Sequence, residues 1–262
     1  MFWADVTPFM GLSGLQIAAL VAVFAGAFLV KGMFGYGAIP LLIVAGSFVV
    51  APHHAVLLAA VTNLMTHVQY LPEGLRHGQR RQVARLALFL MPTIGAGVWV
   101  FARIDGSRLS LLAGMVIMAS VLVDWLRLLD PLAPFVRANV RVVGPVVGTV
   151  SGLISGVIGA GAISFLSIYV RMLAPGRHEF RATILLISGV IMTWRVFILV
   201  MVGLVDATIL TEALLLLPVG LVAGLVGQRL FGMMNDRMCF DGYRLGLVMG
   251  SALMILRGLT EI

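Results

Sequence analysis

The sequence predicts an all-α polytopic integral membrane protein made of two inverted-topology repeats. About 8–10 membrane segments are expected, with broken or hairpin helices at the glycine clusters. Three observations lead there. The 262 residues are 61% hydrophobic and only 11% charged, about half the charge of an ordinary soluble domain. Apolar runs recur from end to end, without the alternating segments of about ten residues that mark a membrane β-barrel. Third, one stretch returns: a shift of 124 residues lays "KGMFGYGAIPLL" (31–42) on "SGVIGAGAISFL" (155–166). Gly32, Gly35, Gly37, Ala38, Ile39 and Leu42 fall on Gly156, Gly159, Gly161, Ala162, Ile163 and Leu166 without a gap, and His54 falls on His178.

The expected spans follow in order. The run 15–30 ends at Lys31 and the first glycine cluster, and 38–51 follows it. Next come 55–71, which carries Asn63 and His67, then 86–102 and 109–126. A charged segment with Pro131 and Pro134 separates the halves. The spans 142–154, which contains Pro145, and 157–170 flank the second glycine cluster. Last are 182–204 with Arg195, 207–228 and 245–256. The division is therefore a first transmembrane repeat at 1–126, a cytoplasmic linker at 127–141 and a second repeat at 142–262.

The arginines orient the chain. Four loops hold 13 of its 18 lysines and arginines: Arg76, Arg80, Arg81 and Arg85; Arg127, Arg137 and Arg141; Arg171, Arg177 and Arg181; Arg229, Arg237 and Arg244. The spans put all four loops on one face, which the positive-inside rule makes cytoplasmic, with both termini periplasmic. The same rule accounts for the net charge of +7 without nucleic acid. The start, "MFWADVTPFMGLSG", has no basic residue and does not read as a signal peptide. Cys239 is the lone cysteine, so no internal disulfide or multi-cysteine metal site is expected.

Lys31 and Arg195 fall in no loop. A charge at membrane depth is expensive, and such residues mark pathways. The run before Lys31 spans only about 24 Å of helix against a core of about 30 Å, so G-x-x-G-x-G suggests a helix broken there. Unwound backbone at that depth survives only inside protein or beside water, and a helix starting at the break aims free N–H groups at it. Two such breaks meeting near the midplane would form an anion site. The candidate substrate-binding residues are Lys31, Gly32, Gly35, Gly37, Asn63, His67, Ser155, Gly156, Gly159, Gly161 and Arg195. Asn63 and His67 are four apart and share a helix face. Two plainer readings stand beside this one: glycines as helix-packing positions, and Lys31 reaching back to an interface.

His53, His54, His77 and His178 lie in or beside loops and read as solvated. Asp124 and Glu212 are the only acids inside the spans, both toward an end. There is no H-E-x-x-H, no paired carboxylate and no G-x-x-x-x-G-K-[ST], so no enzyme activity, metal or cofactor is expected, and ATP is not the direct drive.

"GMFGYGAIP", "GLISGVIGAGAISFLSIYV", "PGRHEFRAT" and "MVGLVD" together resemble the TauE/SafE sulfite exporter family, also called the TSUP permeases. Ala38 and Ala162 stand where that family usually has a third clustered glycine, and Ser164 where it has proline. The resemblance implies an inner-membrane secondary transporter that exports small sulfur-containing anions such as sulfite, sulfoacetate or other organosulfonates. On the residue reading this works by alternating access, with a proton or Na⁺ as candidate coupling ion. Its partners would be that anion, the lipid bilayer and a candidate second copy in a homodimer. Rival readings are an anion channel on the same scaffold, an importer of thiosulfate- or sulfate-like anions, and a scaffold subunit.

Overall fold

In a computed structural model, residues 8–35, 37–160, 162–173, 176–230, 248–249, 251–256 and 258–260 are described. Gly161 and Cys239 fall outside them, as does part of the expected last span, whose described residues 248–249 and 251–256 are helical. The fold is all-helical among the described residues: α1 (Gly14–Phe34), α2 (Ala38–Gly46), α3 (Pro52–His67), α4 (Leu71–His77), α5 (Arg80–Phe101), α6 (Gly106–Trp125), α7 (Ala133–Ala138), α8 (Val140–Val157), α9 (Ala162–Leu173), α10 (Arg177–Met201) and α11 (Ala207–Leu230). Six of these, α1, α5, α6, α8, α10 and α11, are long and apolar enough to cross a membrane.

Helix ends follow local chemistry. Ser13 and Gln16 form a reciprocal capping box at the start of α1, and Asp105 accepts from the Arg108 amide to start α6. The end of α1 departs from the sequence reading. The helix runs through Lys31 to Phe34, 21 residues or about 31 Å, so it is full length. It stops where Gly35 turns left-handed (φ 82°) and its amide donates to the Lys31 carbonyl at 2.7 Å. Gly37 is left-handed as well (φ 99°) and starts α2, which is only nine residues long. The second cluster behaves alike. Beyond α8, Gly159 is left-handed (φ 81°), its amide donates to Ser155 at 2.9 Å, and the short α9 follows. Each break thus joins one long helix to one short one.

Two glycine seams hold the bundle. In the first, α1 lies against α11: a Cβ at Gly32 would stand 3.0 Å from the Gly227 Cα and run into the Gly224 carbonyl. In the second, α8 lies against α5: a Cβ at Gly156 would stand 2.7 Å from the Gly97 Cα. Gly144, Gly148, Gly152 and Gly156 form a small-residue stripe along α8, while Val142, Val146, Val150 and Leu153 point outward. Large exposed side chains such as Leu88, Phe197, Leu215 and Val222 suit hydrocarbon contact rather than water. The segment after α6 is folded, not a bare linker: Arg171 of α9 pairs with Asp124 at 3.5 Å and Asp130 at 2.9 Å.

Candidate functional site

Helix α10 is the spine of the polar interior. His67, at the end of α3, donates from Nε2 to the Leu185 carbonyl of α10 at 3.0 Å. A Cβ at Gly189 would lie 2.9 Å from that same nitrogen, so glycine is what lets the ring approach. One turn back on α3, Asn63 accepts from Lys31 Nζ at 2.7 Å through its side chain and at 3.4 Å through its carbonyl. Lys31 is 2% exposed and does not reach an interface. Its ammonium stands 5.0 Å from the Tyr70 ring centre and 5.7 Å from that of Phe28, inside cation–π range. The structure therefore joins Lys31, Asn63 and His67, three of the residues the sequence singles out, and none of the contacts of Lys31 is a carboxylate.

Arg195 occupies a different place. It is fully buried, and Nε, Nη1 and Nη2 all lack a hydrogen-bond acceptor among the described residues. Its guanidinium lies on the second break: a Cβ at Gly159 would stand 2.6 Å from Nη1 and 2.9 Å from Cζ. On another side the Phe101 ring centre is 5.7 Å away. A buried cation with no counter-charge costs several kcal/mol, so this is where an anion would be most strongly held. Ser155, one turn before Gly159, is buried, and its hydroxyl has no partner among the described residues. It takes the place in the second cluster that Lys31 takes in the first.

The two breaks do not meet at one point, contrary to the sequence expectation. Gly35 faces Arg181 and Leu185, whereas Gly159 faces Arg195. Those α10 positions lie 10 to 14 residues apart, about 15–21 Å along the helix. Sequence alignment equates the breaks but carries no information on depth. Gly32 and Gly156 sit in the helix seams, and Gly37 starts α2; Gly161 falls outside the described residues.

Two groups escape the sequence reading. Arg181, counted as a loop arginine, lies in the second turn of α10 with its side chain 15% exposed. It donates from Nη2 to the Gly32 carbonyl at 3.3 Å and pairs through Nε with Glu73 at 3.4 Å. His54, read as solvated, meets Glu212 at 2.5 Å. Glu212 is 2% exposed and also accepts from the Phe9 amide at 2.8 Å, tying α3 to α11 beside a cavity of about 420 Å³. Nothing in the spacing separates Arg181 from its neighbours, and no local pattern pairs His54 with Glu212.

A family model described as sulfite exporter TauE/SafE matches residues 18–257, nearly the whole chain and both breaks. No curated protein and no solved structure matches it.

Proposed function

Because this chain belongs to the TauE/SafE sulfite exporter family, we propose that it is a secondary transporter moving a small sulfur-containing anion, sulfite or an organosulfonate, outward across the bacterial inner membrane. The observation that carries the reading is Arg195: a fully buried guanidinium without an acceptor among the described residues, laid against a left-handed glycine. A planar fork of N–H donors matches two oxygens of a sulfur oxyanion at once.

The two halves are read as inverted repeats that rock against one another around the anion. The exchanged seams support this: the long helix before each break packs on a late helix of the other half. The basic loops support both termini lying outside. A proton or Na⁺ is the coupling ion to test.

Reconstituted protein should take up labelled sulfite or sulfoacetate in proteoliposomes, with saturation at millimolar substrate or below. Arg195→Gln should lose that uptake while still eluting as a folded species. Failure of the native protein to move any sulfite, thiosulfate or sulfonate would end the proposal.

A further inference from the structure

The two left-handed glycines that coincide in the alignment, Gly35 and Gly159, each lie against an arginine of the same helix. A Cβ at Gly35 would stand 3.2 Å from Arg181 Cγ and 3.5 Å from its Nε. At Gly159 the near atoms are those of the Arg195 guanidinium. Each break bares main chain to an arginine, and the two arginines are 14 residues apart on α10, about 21 Å along its axis. They differ in one respect. Arg195 has no acid beside it among the described residues, whereas Arg181 faces Glu73 of α4.

We infer that Arg181 is a second anion station, at the α4 end of the path, and that Glu73 is a stand-in counter-ion which an arriving sulfur oxyanion displaces. This rests on the transport reading above. Glu73 is held in position: the turn after α4 docks on α10, where Gln79 donates to Glu179 at 2.7 Å and its amide to Thr183 at 3.0 Å. The carboxylate itself is loosely held, because Glu73 is 35% exposed and meets Nε at 3.4 Å, a wet pair of the weak kind. Arg181 can turn from it without losing the Gly32 carbonyl, which its Nη2 holds at the end of α1. An oxyanion entering there meets a cation paired with a removable acid; at Arg195 it meets a cation with no acid among the described residues. That gradient draws the anion in from one face and holds it near the other.

The test is the sulfite KM of the full chain in proteoliposomes, measured from each face. The α4 face is identified by an impermeant thiol label on Arg76→Cys in a Cys239→Ser background. Glu73→Gln should lower KM about threefold on the α4 face and leave the other face unchanged. Arg181→Gln should raise it about tenfold on the α4 face, with partial return in Arg181→Lys. A role for Arg181 confined to capping α1 would lower thermal stability but leave both KM values alike, and that result overturns the inference. If Arg181→Gln does not fold, Glu73→Gln decides alone, since it leaves the cap in place: an unchanged KM on both faces refutes the station. Native protein that moves sulfite while both variants match it refutes only the station. Native protein that moves no sulfur anion removes the transport reading and the station together.

Discussion

The two glycine breaks share a backbone and differ in charge. At each, a long helix ends in a glycine with φ near 80° whose amide returns to the residue four back, and a short helix follows. Around the first stand Lys31, bound to Asn63, and Arg181, paired with Glu73. Around the second stand Arg195 and Ser155, which have no hydrogen-bond partner for guanidinium or hydroxyl among the described residues. The repeated glycines thus supply a geometry used twice, while the side chains near them make one break balanced and the other electrostatically open.

The largest effect should come from the open break. Arg195→Met removes an uncompensated buried charge, so it should raise stability by about 1–4 kcal/mol while lowering sulfite flux by at least about a hundredfold. A melting curve and a flux assay on the same preparation check both signs. A matched loss of stability would mean that the guanidinium is balanced by contacts after all.

Next is the backbone. Both left-handed positions penalise a side chain by about 1–2 kcal/mol. Gly159→Ala must in addition displace the Arg195 guanidinium, whereas Gly35→Ala presses only on the Arg181 stem. Flux should therefore fall much further in Gly159→Ala than in Gly35→Ala, despite similar melting shifts. Equal flux losses would erase the distinction between the breaks.

At the balanced break, Lys31→Met leaves the buried Asn63 amide oxygen without its donor, a cost of about 1–3 kcal/mol. Adding Asn63→Leu should return most of it, read as a double-mutant cycle in thermal melts. The smallest difference concerns the seams. Gly32→Ala and Gly156→Ala each drive a methyl into the main chain of the facing helix, and each should cost about 1–3 kcal/mol. If the halves are equivalent, the two losses should agree within about 0.5 kcal/mol.

Much of this was legible in the sequence. Lys31 and Arg195 stand out because charge is rare in apolar runs, and Asn63 and His67 because four residues make one helical turn. The family follows from the motifs around the glycines. At α1 the apolar run is shorter than the helix, because a run stops at the first charge, whereas a helix continues through a charge that it buries. Arg181 was hidden by its company: among Arg171, Arg177 and Arg181, composition does not show which turns inward. The pairing of His54 with Glu212 joins residues 158 apart, and no local pattern encodes it. The separation of the breaks was out of reach for the same reason, since a repeat fixes correspondence and not depth.

The exchanged seams also govern how the chain must be made. Gly32 finds its partners Gly224 and Gly227 only after α11 has been synthesised, some 190 residues later. At about 5–20 residues per second that is a wait of about 10–40 s. Through that interval the bare glycine face of α1 stands in lipid or against whatever the insertion machinery offers it. A first half produced alone would keep that face open, and two halves produced as separate chains would still have to find each other to close both seams.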